Sequence, residues 1–488
     1  MRKFLFILTA CLTAWITLGC KQQEQNKQPK YVFYFISDGT GVNTVLGTEV
    51  YLCEIQAKDN IGRTPLLMTS FPVVGVSSTY SFNSGITDSA ASGTALASGV
   101  KTYNGAIGVN SDTAAVNSIA VWAKEAGYPV GIATSVSINH ATPASFYAHS
   151  ASRNDYYYIG TQLATTGFDF FGASDFRLDS RHKDASFRDS LYQQCADSGY
   201  VIARNSFDDY KTKADDGAEK MILFQSLDRS LNVDDGALPY AIDAKEGEMS
   251  VYDITRAQID FLYRKSEKLG GKGFFLMSEI GGKVDYACHA NDAKTSFVEV
   301  MMVDSCVQLA YEFYQQHPDE TLIVITSDHE TGGFTIGNSV AHYNTNMPVL
   351  SYQKCSVDEI TRHLQALRAA TSNKVSWEQV QACLMEDLGF WNGVNLNEEQ
   401  VDMLKQIYTM SFVGKMPNEE NLYSANEPIA ATALRIMQQN SFVGWTSNDH
   451  SAGLVPVYAL GVGAEQFSGH NDNAEIPLKI AEIAGYIH

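Results

Sequence analysis

Residues 322–333 read LIVITSDHETGG, and this segment indicates the fold class more clearly than any other part of the chain. An apolar run without alternation is typical of a strand that is buried on both faces, as in a parallel sheet covered by helices. Polar side chains at the exit of such a strand lie where open α/β sheets bind ligands. The segment therefore predicts a buried strand that delivers Asp328 and His329 to a candidate site.

Four more runs rich in Val, Ile, Phe and Tyr resemble this strand: residues 31–37, 129–134, 273–278 and 455–461. Helical patterns lie between them, at residues 90–98, 115–126 and 292–316. This alternation predicts an α/β fold with a central, mostly parallel sheet flanked by helices on both faces. The first run is followed by Asp38 and the third by Glu279, so polar residues leave at least three strands at the same kind of position.

The distribution of these patterns divides the chain. Residues 31–333 and 441–488 carry the strand runs and form the predicted catalytic domain. Residues 334–440 are more polar and contain amphipathic helical stretches at 377–386, 398–408 and 429–439, so we expect a large insertion there. A smaller polar segment, about 175–245, is expected to be a second excursion from the sheet.

The N-terminus has the pattern of an export signal. Arg2 and Lys3 precede an apolar run that ends at Gly19-Cys20, and this run of about 15 residues is short for a membrane-spanning helix of about 20. We therefore expect residues 1–19 to be a signal peptide and residues 20–30 a linker. A small residue followed by Cys resembles the lipobox of bacterial lipoproteins. Cys20 is therefore the candidate lipidated residue, and cleavage of the signal without lipidation is the alternative. The expected location is the periplasm or, through the lipid, the outer membrane of a bacterium.

Composition and charge limit the possible partners. The chain of 488 residues is 45% hydrophobic and 18% charged, which suits a large folded core. The net charge of −20 becomes −22 when residues 1–19 are removed, and this argues against nucleic acid or an anionic bilayer as the main partner. Six cysteines fall in the folded part without a CxxC pair, so they are either buried thiols or one or two disulfides: Cys53, Cys195, Cys288, Cys306, Cys355 and Cys383.

The stretch TDSAASGTA, residues 87–95, contains a candidate nucleophile. Ser89 falls in the first turn of a predicted helix, where the helix dipole and free N–H groups favour an alkoxide and hold an anion such as phosphate. The structural alternative is an ordinary helix cap. The GxSxG pattern of serine hydrolases is absent from this turn.

Carboxylate and imidazole pairs occur at three places in the chain. Asp285 and His289 are four residues apart and share a helix face, a spacing at which both can reach one zinc ion. Asp328 and His329 leave a strand together, and His450 lies just before the strand run at 455–461. Any one of these sets by itself is compatible with a structural role, but together they favour a site for several metal ions.

Two further motifs bear on phosphate and nucleotide binding. Arg153 follows Thr142 by eleven residues, and arginine offers a planar bidentate fork to phosphate oxygens; its structural alternative is a surface ion pair. Gly39-Thr40-Gly41 is only half of a dinucleotide-binding fingerprint, and no complete P-loop is present. A nucleotide cofactor is therefore not expected.

Taken together, these motifs resemble the alkaline phosphatase family in order and spacing. The resemblance covers about residues 31–155, 270–335 and 441–480, somewhat over half of the mature chain. It implies a phosphomonoesterase with two Zn²⁺ ions, one Mg²⁺ ion and a serine nucleophile. The motifs that carry it are Asp38-Gly39, Asp88-Ser89-Ala90-Ala91, His140 to Pro143, Arg153, Glu279 to His289, Asp328 to Gly333 and Trp445 to His450.

The resemblance also implies a role for each matching residue. Ser89 is the nucleophile and Arg153 holds the phosphate. The implied ligands are Asp285, His289 and His450 for one zinc, Asp38, Asp328 and His329 for the other, and Asp38, Thr142 and Glu279 for magnesium. Asp88, His140 and Tyr286 are expected around these ligands.

This chain departs from the family pattern at two places. Some members carry Asp where His140 stands and Lys where Tyr286 stands, which affects the surroundings of the magnesium site. Glu279 lies one residue further from Asp285 than the family usually has. Gly281 and Gly282 are expected to take up this residue in a bulge or tight turn, since glycine accepts positive φ.

Two alternatives to a monoesterase stay open at this point. A phosphodiesterase or sulfatase of the same superfamily would reuse the metal scaffold, although the CxPxR-like motif of sulfatases is absent. A lipoprotein that only binds phosphate or metal would not need a serine beside the zinc ligands. The expected partners are small phosphate monoesters, no nucleic acid, a membrane only through the lipid anchor, and a second copy of the chain in a homodimer.

Overall fold

Strand β1 (Tyr31–Ile36) shows how the sequence builds the two faces of the sheet. All six of its side chains are buried, and they alternate between two hydrophobic cores. Val32, Tyr34 and Ile36 face one core, while the intervening Tyr31, Phe33 and Phe35 face the other. A strand with a core on each face needs an apolar residue at every position, which explains the continuous hydrophobic run.

The computed structural model describes residues 28–57, 62–225 and 236–487. Ten strands of these residues form one sheet in the order β10-β2-β9-β8-β1-β7-β3-β4-β6-β5. In chain order, the strands after β1 are β2 (Val73–Ser78), β3 (Val130–Thr134), β4 (Phe170–Ala173), β5 (Val201–Arg204), β6 (Met221–Phe224), β7 (Phe274–Glu279), β8 (Thr321–Thr326), β9 (Val455–Gly461) and β10 (Gly469–Asp472).

Helices cover both faces of the sheet. Those that bound or follow the catalytic-domain strands are α1 (Val42–Gln56), α2 (Ser89–Ser98), α3 (Ile119–Glu125), α4 (Ala141–Ala144), α5 (Tyr156–Leu163), α6 (Ala185–Asp197), α7 (Phe207–Asp215), α8 (Val251–Lys268), α9 (Gly282–His289) and α10 (Ala293–Gln316). The rest are α11 (Val357–Ala370), α12 (Trp377–Leu388), α13 (Glu398–Tyr408), α14 (Pro428–Ser441) and α15 (Glu475–Ala484).

The predicted fold class is confirmed: the sheet is mostly parallel and has helices on both faces. Among the described strands of this sheet, β9 alone is antiparallel to its neighbours, β8 and β2. The start of an antiparallel strand lies at the same edge as the ends of its parallel neighbours. Residues just before β9 therefore reach the carboxyl edge of β8.

Two predicted elements differ from the structure. The helix expected over 115–126 begins only at Ile119, because Ser118 caps it by accepting a hydrogen bond from the Val121 N–H. The segment expected to be an excursion at about 175–245 instead adds β5 and β6 to one end of the sheet. These strands have four residues each, and β5 is partly exposed at the sheet edge, so their apolar runs are too short to stand out.

Within the inserted segment, residues 355–437 fold around a hydrophobic core of their own, while Phe334, Met347 and Leu350 pack against α1 and α10. Helices α11 to α14 contribute to it through side chains such as Ile360, Leu384, Leu404 and Ile429. A 3-10 helix (Met347–Tyr352) precedes these helices, and a π-helical turn (Thr409–Val413) follows α13. The segment thus packs largely as a unit beside the sheet-based domain.

The remaining expectations concern the cysteines and the N-terminus. The six cysteines of the described residues are free thiols, which decides between the two readings of their spacing. The predicted signal peptide and Cys20 lie outside the described residues. Within the described part of the chain, none of the helices combines the length and apolar composition needed to cross a bilayer.

Candidate active site

The predicted site residues meet at the carboxyl edge of four neighbouring strands, β8, β1, β7 and β3. Ile36 at the end of β1 lies opposite both Glu279 of β7 and Thr326 of β8. Asp38 and Asp328, which follow β1 and β8 by two residues, therefore leave the sheet side by side. The parallel register brings together residues that are far apart in the sequence.

One cluster of metal-ligating side chains consists of Asp38, Asp328 and His329, all completely buried. The His329 Nε2 atom lies 3.2 Å from Asp38 Oδ1 and 3.3 Å from Asp328 Oδ2. Gly39, the residue after Asp38, lies directly against Asp285 of α9. Its φ is +71°, and a Cβ atom there would fall 2.6 Å from the Asp285 Cα. A residue with a side chain after Asp38 would collide with the neighbouring helix.

Ser89 lies against this cluster at the start of α2. Its Oγ atom is 3.1 Å from His329 Nε2. Asp88 caps the helix, and its Oδ1 atom accepts the Ala91 N–H at 3.0 Å. The cap therefore belongs to Asp88, which leaves the Ser89 hydroxyl free to face the cluster at the positive end of the helix dipole.

A second cluster consists of Asp285, His289 and His450. The His289 Nε2 atom lies 3.4 Å from Asp285 Oδ1 and 3.2 Å from His450 Nε2. Both imidazoles donate from Nδ1 to main-chain carbonyls, to Asn448 at 2.5 Å and to Thr87 at 2.8 Å. A carbonyl can only accept, so each neutral ring presents the Nε2 lone pair to the cluster.

His450 reaches the site because of the antiparallel strand β9. His450 and Ser451 pair with Thr331 and Glu330, directly after β8 and before β9 enters the sheet. The imidazole rings of His450 and His329 stack with 3.5 Å between their centroids. The two clusters are thereby in contact.

Glu279 lies beside both Thr142 and Asp38, the other two residues of the predicted magnesium site. The Glu279 carboxylate is completely buried and accepts a hydrogen bond from Thr134, while its Oε1 atom accepts none. The Thr142 Oγ1 atom, in the short helix α4, is also buried without a hydrogen-bond partner. Both residues offer oxygen atoms only.

The predicted role of positive φ at the extra residue before Asp285 is wrong. Gly281 has φ −115° and caps α9, and neither Gly281 nor Gly282 is in the left-handed region. The glycines are required by close packing instead. A Cβ atom on Gly281 would fall 2.4 Å from the Ser37 Oγ atom and 2.6 Å from the Ser37 Cα atom.

Arg153 and its neighbours lie at the mouth of the site. The Arg153 Nη1 atom is 3.0 Å from Asp88 Oδ2, and its Nη2 atom is 3.5 Å from His140 Nε2. His140 is buried at the start of α4, and its ring centroid is 6.3 Å from that of Tyr286. All three residues expected around the ligands are therefore near the site, with Asp88 in direct contact with Arg153.

Two residues of the site were not predicted. Thr331 joins the clusters: its hydroxyl donates to Asp285 Oδ1 at 2.5 Å and lies 3.2 Å from His329 Nδ1. Its place in the DHETGG run was the available signal. Tyr423 of the inserted segment stacks on Tyr286, with centroids 3.7 Å apart and rings tilted by 11°. Nothing in the local sequence marks Tyr423, because its contacts are made across the fold.

The carboxylates of the site strongly perturb one another. Burial, together with the charge of Asp328, holds the pKa of Asp38 well above its ordinary value. Burial likewise raises the pKa of Asp328 to about 8 and that of Glu279 to about 7. Burial acts in the same direction on Asp285, but the imidazoles of His289 and of its neighbours outweigh it and lower that pKa.

These perturbations indicate that cations belong between the carboxylates. Buried charges and polar atoms without partners are costly unless a counter-ion or ligand compensates them. Six buried oxygen atoms at this edge accept no hydrogen bond: Asp38 Oδ1 and Oδ2, Thr142 Oγ1, Glu279 Oε1, Asp285 Oδ2 and Asp328 Oδ2. The residues therefore fit metal ions, with mixed nitrogen and oxygen donors in the two clusters and oxygen donors around Glu279.

Comparison with known proteins agrees with this geometry. The family model described as alkaline phosphatase matches residues 29–166 and 230–486, including the inserted segment. Alkaline phosphatase 4 of Bacillus subtilis is 30% identical over 96% of this chain and 94% of its own length. A relative of this similarity shares the whole architecture and not only the motifs.

Two solved structures of similar fold are alkaline phosphatases. The cold-active alkaline phosphatase of a psychrophilic Shewanella superposes with a TM-score of 0.75 at 25% identity, over 93% of this chain and 99% of the other. A variant of the alkaline phosphatase from the Antarctic bacterium TAB5, solved with Mg bound in its M3 site, has a TM-score of 0.64 at 24% identity. That match covers 95% of this chain and 99% of the other.

Proposed function

The chain belongs to the alkaline phosphatase family of phosphoric monoester hydrolases, and on that premise we propose that it hydrolyses phosphate monoesters through a phosphoserine intermediate on Ser89. The observation that carries this proposal is the placement of the Ser89 hydroxyl. It lies at the N-terminus of α2 and 3.1 Å from His329 Nε2, where the two metal-ligating clusters meet. A nucleophile in this position faces both clusters and the helix dipole.

The proposed cofactors are two zinc ions and one magnesium ion. Asp285, His289 and His450 would hold one zinc, and Asp38, Asp328 and His329 the other. Asp38, Thr142 and Glu279 would hold magnesium, as their oxygen-only donor set suggests. When bound, such ions neutralise phosphoryl charge and lower the pKa of the serine hydroxyl and of a water molecule.

The chemistry at Ser89 has two steps. The Ser89 Oγ atom forms a bond to phosphorus as the bond from phosphorus to the ester oxygen breaks, and the alcohol leaves with the proton that the serine loses. Water then attacks phosphorus, the Oγ–P bond breaks, and inorganic phosphate leaves while the Ser89 hydroxyl is restored. Covalent catalysis lowers the barrier by dividing one difficult displacement into two easier steps.

Arg153 and α2 would hold the phosphoryl oxygens during both steps. The free N–H groups of the first turn of α2 favour an anion beside Ser89. The Arg153 guanidinium is oriented by Asp88, at 3.0 Å, and has donors left to bind phosphate. Both groups are arranged before the substrate arrives, so they stabilise charge without reorganising.

Family membership also decides between the alternatives that the sequence left open. A phosphodiesterase or sulfatase and a non-enzymatic binding protein are set aside in favour of the monoesterase. A homodimer and a lipid anchor on Cys20 stay predictions.

Ser89→Ala tests the proposal. We expect it to lower activity by at least about a thousandfold, on the order of what removing a nucleophile costs other enzymes, with zinc content unchanged. Ser98→Ala is the matched control, because Ser98 lies on the same helix and its hydroxyl bonds main-chain groups: it donates to the Thr94 carbonyl and accepts from the Val100 N–H. Mass spectrometry of acid-quenched wild type should show a phosphorylated peptide containing Ser89; its absence during turnover would contradict the covalent mechanism.

A further inference from the structure

The inserted segment contains a third cluster of metal-ligating side chains, separate from the two of the active site. Cys355 lies just before α11, His363 on α11 and Asp387 on α12. One donor atom of each, a thiol sulfur, an imidazole nitrogen and a carboxylate oxygen, lies within 4.8 Å of the other two. No catalytic residue takes part in this cluster.

A fourth donor lies beside Asp387. The Cys383 Sγ atom is 3.4 Å from Asp387 Oδ2, because the two residues are one turn apart on α12. The His363 Nδ1 atom is 3.0 Å from the same carboxylate oxygen. Asp387 therefore faces two thiols and an imidazole at the junction of α11 and α12.

The surroundings of Asp387 call for a cation. Its side chain is only 6% exposed, and among the described residues it pairs with His363 but with no lysine or arginine. A divalent cation would compensate this carboxylate and hold the neighbouring Cys355 and Cys383 as thiolates.

The imidazole is also oriented as a metal ligand would be. On its outer side the His363 Nε2 atom lies 3.5 Å from Glu359 Oε1, one helical turn earlier. A carboxylate can only accept, so Nδ1–H donates to Asp387 as the residues stand; with a metal bound, the proton would lie on Nε2, toward Glu359, and Nδ1 would offer its lone pair to the metal. A carboxylate that fixes the ring from behind is a common arrangement at zinc sites.

We propose that Cys355, His363, Cys383 and Asp387 bind a structural zinc ion that fastens α11 to α12. Zinc takes four ligands of this kind, whereas magnesium and calcium prefer oxygen donors. On binding, each thiol releases its proton to solvent and its sulfur bonds to the metal. The ion would close a covalently linked loop between two helices of the hydrophobic core in the insertion.

This proposal does not depend on the catalytic mechanism. The active-site clusters contain no cysteine, so a cobalt ion with thiolate ligands would report on the insertion alone. Cobalt bound by thiolates shows an intense near-ultraviolet charge-transfer band, which carboxylate and imidazole ligands do not produce. Cobalt substitution of the full-length protein therefore separates this site from the catalytic sites.

The test combines cobalt spectra with zinc analysis of purified full-length variants. We expect the band in wild-type protein, its loss in Cys355→Ala/Cys383→Ala, and one zinc ion fewer per chain in that variant and in His363→Ala. His363 is 45% exposed, so its truncation creates no core cavity and separates metal loss from unfolding. Cys195→Ala removes a buried thiol of the catalytic domain and should leave both readouts unchanged.

Two results would overturn the proposal. One is a wild-type protein whose cobalt form lacks the thiolate band or whose zinc content His363→Ala does not change. The other is a disulfide between Cys355 and Cys383, detected as a linked peptide in unreduced protein, because oxidised cysteines cannot supply thiolate ligands.

Discussion

Asp88 uses its two carboxylate oxygens for two different tasks. The Oδ1 atom caps the helix that begins with Ser89, and the Oδ2 atom holds Arg153. The nucleophile and the phosphate-binding guanidinium are thereby positioned by one side chain. A change at Asp88 affects the helix start and the arginine separately, depending on the replacement.

Asp88→Asn should separate these tasks. Asparagine caps helices as well as aspartate does, so we expect little change in stability, but it lacks the charge that holds Arg153. Loss of a charge-assisted hydrogen bond corresponds to a fall in kcat/KM of about 10- to 100-fold.

Asp88→Ala serves as the comparison for that variant. It should show the same kinetic loss and, in addition, lose about 0.5–2 kcal/mol of stability with the cap. Thermal melts and inhibition by inorganic phosphate measure the two effects. Phosphate binding that is as tight in Asp88→Asn as in wild type would contradict the role given to Asp88.

Site residues differ in how far the sequence reveals them. Asp38, Asp328 and His329 directly follow apolar runs, so a local pattern places them at the strand ends. Thr331 and Tyr423 could not be assigned in this way, because their roles come from contacts across the fold: Thr331 with the helix α9, and Tyr423 from the insertion. A hydroxyl or an aromatic ring by itself carries no specific signal.

At the scale of elements, the junction between β7 and α9 fixes Asp285 relative to Asp38. Gly281 packs directly on the backbone of Ser37, which precedes Asp38. The extra residue after Glu279 is accommodated by this contact and not by a left-handed turn. The sequence predicted the right glycines for the wrong reason, because a close contact between two backbone segments leaves no pattern in the sequence.

Gly281→Ala should disturb that junction. The added Cβ atom would lie 2.4–2.8 Å from atoms of Ser37, so the helix must shift, at a cost of about 1–3 kcal/mol. Because α9 carries Asp285 and His289, we also expect weaker zinc retention during dialysis. Gly85→Ala is the control, since a Cβ atom there meets nothing within 4 Å; equal zinc retention in the two variants would contradict the argument.

The inserted segment contributes one side chain, Tyr423, to the surroundings of the active site. Its ring stacks on Tyr286 and lies edge-on to His289, with 5.1 Å between centroids, while its hydroxyl forms no hydrogen bond. The ring therefore shields the histidine cluster from water, which strengthens electrostatic interactions there.

Tyr423→Ala removes this cover together with stacking worth about 0.5–1.5 kcal/mol. We expect KM for an aryl phosphate to rise, and Tyr423→Phe, which keeps the ring, to stay close to wild type. Steady-state kinetics of both variants at saturating zinc and magnesium measure the difference. A Tyr423→Phe variant as impaired as Tyr423→Ala would show that the hydroxyl, and not the ring, is what matters.

At the scale of the whole molecule, the centre of the sheet was predictable and its edges were not. β1, β3, β7 and β8 are fully buried, so most of their residues are apolar and the runs stand out. β2 is half-exposed and contains a glycine, so its pattern is weak. The antiparallel direction of β9, which brings His450 to the site, depends on chain connections that no local pattern records.

The prediction that the whole molecule is attached to a membrane rests on its first residues. Residues 1–30 combine a basic start, an apolar run ending at Gly19-Cys20 and a polar linker. Once residues 1–19 are removed, the chain would have a net charge of −22, so an anionic lipid surface repels it. We therefore propose that lipid on Cys20 is what holds the protein at the membrane.

Cys20→Ala should release the protein from that attachment. Without the thiol no lipid can be joined, so we expect the enzyme to move from the membrane fraction to the soluble fraction, or to accumulate with its signal uncleaved. Cys11→Ala is the matched control, because Cys11 lies within the apolar run and not at the predicted cleavage point. Membrane fractionation, with incorporation of labelled fatty acid as a second readout, compares the two variants. If Cys20→Ala still sediments with membranes and Cys11→Ala behaves identically, the attachment lies elsewhere and the lipid anchor is ruled out.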